Sequence, residues 1–156
     1  MVRTMRETQG NETIYAIVGP TAVGKTRIGF ELAARVGAEI ISVDSRQVYR
    51  YLDVGTDKIS LRERRIVPHH LIDVADPDDV FTVADFVRCA ESAIDRIRNR
   101  GRIPLLVGGS PLYYKALGDG LMSEGMPFDR DLRRSLEERA EREGNDALFQ
   151  IGRAHV

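Results

Sequence analysis

The run Ile14-Tyr15-Ala16-Ile17-Val18-Gly19-Pro20-Thr21-Ala22-Val23-Gly24-Lys25-Thr26 carries two signals back to back. Residues 14–18 are apolar and rich in β-formers, and they stop at a Gly-Pro turn, so they read as a buried strand. Residues 19–26 then fit G-x-x-x-x-G-K-[ST], the pattern of a phosphate-binding loop. From Lys25 to Val36 the apolar residues Ile28, Leu32, Ala33 and Val36 follow helical spacing, with Gly37 as the stop. A strand directly before the loop and an amphipathic helix directly after it are the context the pattern requires. Gly19 and Gly24 permit backbone angles that turn a row of N–H groups inward. The helix adds its positive N-terminal end. Lys25 supplies a point charge to the terminal phosphate, and the Thr26 hydroxyl can ligate Mg²⁺. The reading is a polyphosphate or diphosphate cradle. The loop itself does not say what the phosphates are attached to, and by base rate the ligand is an NTP.

On the C-terminal side, Glu39–Val43 reads as a second strand. Residues 45–67 are polar and Arg-rich, with one or two short elements at most. Leu71–Val74 is expected as a short strand and 76–79 as a turn. Thr82 and Asp85 have capping-box spacing, and Val83, Phe86, Val87, Ala90, Ala93, Ile94 and Ile97 form one apolar stripe, so a helix runs from Thr82 to Gly101. Ile103–Val107 reads as a third buried strand, stopped by Gly108-Gly109. Ser110-Pro111 reads as the N-cap and first residue of a helix through Leu117, with Gly118 as its stop. Asp129–Glu143 is a charged helix whose signs alternate at i,i+4, as in Asp129/Arg133 and Arg134/Glu138, and it reads as a solvated face. Continuous apolar strands alternating with helices give an α/β fold, a P-loop NTPase-like parallel sheet with helices on both faces. Residues 1–13 are expected to be a disordered lead-in and 14–150 the core.

Composition fits this. Of 156 residues, 42% are apolar and 30% charged, which suits a globular domain and excludes general disorder. No apolar run approaches the ~20 residues of a membrane span, and the polar start lacks a secretion signal. The single cysteine excludes an internal disulfide. The expected location is the cytoplasm. The net charge of −1 excludes a strongly basic nucleic-acid binder, though not a local basic patch. Of 23 basic residues 20 are arginine, so Lys25, Lys58 and Lys115 are each candidates for a chemical role.

Other residues add chemistry. Asp44 closes the second strand, at the edge where ligands sit in doubly wound sheets. It can hold Mg²⁺ through water, act as a general base, or simply cap the next turn. Gln47 is a candidate for a bidentate bond to an adenine edge. An ordinary NTPase carries an acidic residue closing the strand that here ends in Gly108-Gly109, which argues against ATP hydrolysis. His69 and His70, adjacent on an extended segment, face opposite ways and would not share a metal. One is expected packed and the other exposed. Cys89 reads as a small core residue. Arg96, Arg98, Arg100 and Arg102 complement a helix C-terminus.

In order, GPTAVGKT, DSRQVYRYLDVGTDK, VPHHLIDVADPDDVFTVADF and LLVGGSPLYYKALGDGL resemble the N-terminal half of the tRNA dimethylallyltransferase (tRNA isopentenyltransferase) family, over residues 14–146. The resemblance implies that Gly19, Pro20, Thr21, Ala22, Val23, Gly24, Lys25 and Thr26 hold the diphosphate of dimethylallyl diphosphate, with Mg²⁺ on Thr26. It implies Asp44 as general base toward N6 of the adenosine 3′ of the anticodon, with Lys25 and Thr21 the other catalytic candidates. Asp44, Ser45, Arg46, Gln47, Ser110 and Arg133 are implied contacts to tRNA. Ser110 stands where the family usually has Thr, Pro111 where it has Gly, and Arg133 aligns only across a one-residue insertion. A monomer is expected.

Family members are about twice as long, so this chain is expected to be a truncated half, weak or inert in transfer. The tail Ile151-Gly-Arg-Ala-His-Val156 is what ATC GGA AGA GCA CAC GTC encodes, the start of a common sequencing adapter, and is expected to be foreign to the domain. Three alternatives stay open: an adenylate isopentenyltransferase acting on a free nucleotide, a small-molecule P-loop kinase, and a domain that only binds diphosphate.

Overall fold

The computed structural model describes residues 2–5, 13–119, 130–146 and 149. The chain divides into two compact units, Met1–Leu121 and Met122–Val156. The first holds a five-stranded sheet. Its strands are β1 (Val2–Met5), β2 (Ile14–Val18), β3 (Ala38–Val43), β4 (His69–His70) and β5 (Ile103–Gly108). They lie in the order β1-β2-β5-β3-β4, with β1 antiparallel to β2 and all other pairs parallel. β5 is last in sequence yet sits between β2 and β3, so the ends of three strands meet at one edge.

The helices are α1 (Lys25–Val36), α2 (Leu61–Ile66), α3 (Val83–Asn99), α4 (Pro111–Asp119) and, in the second unit, α5 (Arg130–Glu143). Strand side chains alternate between two apolar layers, as a sheet covered on both faces requires. Ile40, Leu105 and Val107 pack with Ala33 and Phe30 of α1. Ile41, Val43 and Leu106 pack with Phe86, Ala90, Ile94 and Ile97 of α3 and with Tyr113 and Tyr114 of α4. Phe86 stacks on Tyr113, ring centroids 4.1 Å apart. Cys89 is half-buried against this second layer.

Several expectations change. The lead-in expected to be disordered over 1–13 contains β1, which pairs with β2 along its length; residues 6–12 lie outside the described ones. The short strand falls at His69–His70, not Leu71–Val74, because Leu71 turns into the left-handed region (φ 63°) and ends the extended run. Gly118 lies inside α4, which continues to Asp119. Residues 45–67 contain α2, opened by a full capping box between Ser60 and Glu63. On α5, Arg133 pairs with Glu137 and Arg139 with Glu143; Asp129 lies outside the described residues, as does the tail 151–156.

The two histidines face opposite ways, but neither is exposed. His70 Nε2 lies 2.7 Å from Glu39 Oε2, and His69 Nδ1 lies 2.7 Å from the Val67 carbonyl. Glu39 is buried and also takes two bonds from Arg100, at 3.2 and 2.7 Å. Burial alone would raise its pKa; the bonds from Arg100 and His70 outweigh that and hold it below the usual carboxylate range. Arg102 donates to the Gly37 carbonyl at the end of α1. The arginines after α3 thus reach across to β3 and α1.

Candidate active site

The phosphate loop leaves β2 at Gly19 and enters α1 at Lys25. Gly24, the N-cap of α1, has φ 82°, a conformation that only glycine takes without strain. Ala22 is also left-handed, at φ 65°. Such strain in a non-glycine residue persists where the surroundings impose it and clusters at ligand clamps. The Lys25 ammonium bends back to the Pro20 carbonyl. A Cβ built on Gly109 would lie 3.6 Å from Lys25 Nζ, so the loop after β5 runs alongside the lysine.

The strand ends bring the other residues to the same place. One cavity of about 400 Å³ is lined by Thr21, Ala22, Gly24, Lys25 and Thr26 on one side and by Asp44, Ser45, Arg46, Gln47 and Ser110 on others. Gly19, Pro20 and Val23 shape the loop without lining that cavity. Arg133 belongs to α5 in the second unit.

Asp44 does two things. Its Oδ1 accepts from the backbone N–H of Arg46 at 2.8 Å and of Gln47 at 3.2 Å, capping the turn after β3. Its Oδ2 takes no hydrogen bond among the described residues and Asp44 lines the cavity. Gln47 is buried, and its amide is engaged at both ends. Oε1 accepts from Ser42 Oγ at 2.8 Å, and Nε2 donates to the carbonyls of Thr56 (2.9 Å) and Asp57 (3.3 Å). In this conformation it braces the loop at 56–57.

Gly108 has a steric reason. A Cβ there would sit 2.1 Å from the Val43 carbonyl oxygen, inside any permissible contact. Ser110 N–H donates to that same carbonyl at 3.3 Å. The Tyr114 hydroxyl donates to the carbonyls of Ile17 (3.2 Å) and Gly108 (3.5 Å), tying the ends of β2 and β5; burial pushes this phenol far above its ordinary pKa.

Three residues at or beside the site lie within the quoted stretches but had no binding role read for them there. Asp57 Oδ2 accepts from the Thr26 hydroxyl at 3.2 Å. Lys58, its side chain only 3% exposed, donates to the Tyr49 carbonyl (2.7 Å), Asp53 (3.0 Å) and Asp73 (2.7 Å). His69 lines the cavity wall. The scarcity of lysine marked Lys58 as a candidate, and it also closes the quoted stretch 44–58.

Such an assembly defines a class: a phosphate-loop α/β protein, its ligand cradle at the carboxyl ends of parallel strands. A family model described as IPP transferase matches residues 47–153. The chain belongs to the IPP transferase family. It is 52% identical over 137 residues to a tRNA dimethylallyltransferase of Thermomicrobium roseum, covering 88% of this chain and 42% of that one. It is 53% identical to one of Shouchella clausii, covering 88% and 44%. The fold matches the full-length tRNA isopentenylpyrophosphate transferase of Bacillus halodurans with a TM-score of 0.67 at 48% identity, covering 87% of this chain and 45% of that one. It also matches a eukaryotic dimethylallyltransferase acting on tRNA, with a TM-score of 0.65 at 33% identity, covering 74% and 30%. The chain thus spans less than half the length of these relatives. Among the described residues no helix is long and apolar enough to cross a membrane.

Proposed function

We propose that this chain carries the diphosphate-binding and proton-accepting part of a tRNA dimethylallyltransferase. The reaction moves a dimethylallyl group from dimethylallyl diphosphate to N6 of the adenosine 3′ of the anticodon. Placing the reaction in the cytoplasm belongs to the same reading. The observation that supports it best is that Asp44 lines the same cavity as the phosphate cradle, with Oδ2 free of any bond to the described residues.

The chemistry follows from that pairing. N6 attacks C1 of the allyl group, the C1–O bond breaks, and its electron pair leaves with the diphosphate. Negative charge grows beside the phosphate loop, where Lys25, lining the cavity, can exchange the Pro20 carbonyl for the leaving diphosphate, which is electrostatic stabilisation of the transition state. Asp44 Oδ2 takes the proton that N6 sheds, while the N–H groups of Arg46 and Gln47 keep the carboxylate in place through Oδ1. The Thr26 hydroxyl is an oxygen donor of the kind Mg²⁺ takes, and its position at the cradle fits that cation. When bound, Mg²⁺ would neutralise part of the charge on the leaving diphosphate. Ser45, Arg46 and Ser110 line the same cavity, which supports reading them as contacts to the acceptor nucleotide. Extruding a base into such a site costs a few kcal/mol, roughly as for other flipped bases.

Calorimetry of the 156-residue chain with dimethylallyl diphosphate, pyrophosphate and ATP, each with Mg²⁺, tests the reading. The two diphosphates should bind competitively and more tightly than ATP. Tight ATP binding that dimethylallyl diphosphate cannot displace would overturn it in favour of a kinase.

A further inference from the structure

We propose that Asp57 is the carboxylate that completes the Mg²⁺ position beside Thr26. The inference rests on the diphosphate reading of the cradle. In ordinary phosphate-loop NTPases an acidic residue from a neighbouring strand shares the cation with the loop hydroxyl. Here β5, the strand beside the loop strand, cannot supply one, and Asp44 at the end of β3 is assigned to the proton. At Gly108 any side chain would collide with the Val43 carbonyl, and Gly109 follows it.

Asp57 reaches the same hydroxyl from another direction. Its Oδ2 lies 3.2 Å from Thr26 Oγ1. Octahedral Mg²⁺ holds oxygens at about 2.0–2.1 Å, which puts adjacent ligands about 3 Å apart. The two oxygens therefore stand at the spacing of neighbouring corners of one coordination sphere. With a cation bound, the hydroxyl turns a lone pair toward it, and the carboxylate exchanges a hydrogen bond for the ion.

The backbone around Asp57 is fixed on both sides. Gln47 Nε2 donates to the carbonyls of residues 56 and 57. Lys58 is anchored by three acceptors. Between these clamps Asp57 is held at φ 51°, a left-handed conformation that costs a non-glycine residue energy. An exposed carboxylate on a strained, doubly clamped backbone is a preorganised donor. If Asp57 served only to satisfy the Thr26 hydroxyl, its exposed, solvent-screened charge would change cation affinity far less than a direct ligand does, and that difference is measurable.

The experiment measures inorganic pyrophosphate affinity of the full chain by calorimetry, once in EDTA and once with Mn²⁺ standing in for Mg²⁺. The readout is the factor by which metal strengthens pyrophosphate binding. Asp57→Asn tolerates the left-handed backbone and should reduce that factor at least tenfold, the scale of lost metal-site partners. Its metal-free affinity should be unchanged or higher, because a negative neighbour has gone. Asp57→Gly, which suits φ 51° without strain, should behave alike, and thermal melts check that both variants fold. A folded variant that keeps the wild-type factor overturns the inference. A wild type that binds no pyrophosphate under either condition overturns the diphosphate reading itself, and the metal position with it.

Discussion

Single residues carry distinct loads at this site. Lys25 is the one cationic side chain of the cradle, so Lys25→Met should weaken pyrophosphate binding at least tenfold in calorimetry while leaving the melting curve nearly unmoved. Gly108 is steric. Gly108→Ala forces a Cβ against the Val43 carbonyl and separates the ends of β3 and β5. Overpacking of this kind costs about 1–3 kcal/mol; urea unfolding should show a loss in that range or above it. Lys58 is electrostatic. Burial would lower its pKa, but the bonds it donates to Asp73 and Asp53 outweigh that and keep it charged. Lys58→Met leaves Asp73 paired with Arg64 alone. We expect a loss of about 2 kcal/mol, below the roughly 3–5 of a wholly buried pair because Asp73 keeps part of its surface in water. Sequence made Lys25 legible because a motif surrounds it. Lys58 was marked as a candidate by the scarcity of lysine, but its role and that of Asp57 were not legible, since their partners lie five to thirty-one positions away and no period or spacing links them.

Elements were legible where local rules agreed with burial. The strand–loop–helix from Ile14 to Val36 and the capped helix α3 follow from periodicity and punctuation alone. Thr82 Oγ1 accepts from the Asp85 N–H, and Asp85 Oδ2 accepts from the Thr82 N–H. Thr82→Ala should cost about 1 kcal/mol of stability, and Thr82→Ser should restore most of it in the same denaturant titration. α2 was hidden although Ser60-x-x-Glu63 is a capping box, because six residues with no buried face give no apolar stripe to read. The short strand was displaced because its residues look extended while backbone angles at Leu71 and Asp73 are left-handed, a choice imposed by pairing with β3 and by the bonds Asp73 makes to Lys58 and Arg64. β1 was missed because four residues are too few to show a period, and its pairing with β2 makes it a strand.

At the scale of the first unit, stability should depend on pH through groups the fold holds away from their free values. Burial pushes His69 down, against the Val67 hydrogen bond, and Arg64 adds to the lowering. A histidine depressed in the folded state contributes stability that is complete above its unfolded value, about 6.5, and fades as pH falls through the folded one. Glu39 and Asp73 behave in the same sense one window lower, beginning near the ordinary carboxylate range. Urea midpoints should therefore fall in two stages between pH 8 and pH 3. His69→Gln should flatten the upper stage and Glu39→Gln should shrink the lower; a single unaltered stage in both variants would contradict the assignment. Parallel order and the two buried layers followed from continuous apolar strands, but the placing of β5 between β2 and β3 did not, because strand order is set by crossovers that no local signal encodes. That order has a practical corollary. Glu39, Arg100 and Arg102 rivet the rim where β3 and β5 begin, far along each strand from the rim that lines the cavity. Anyone wishing to harden the molecule against heat can rework the starting rim and leave the cavity alone, since each strand keeps its ion pairs at one end and the phosphate loop's surroundings at the other.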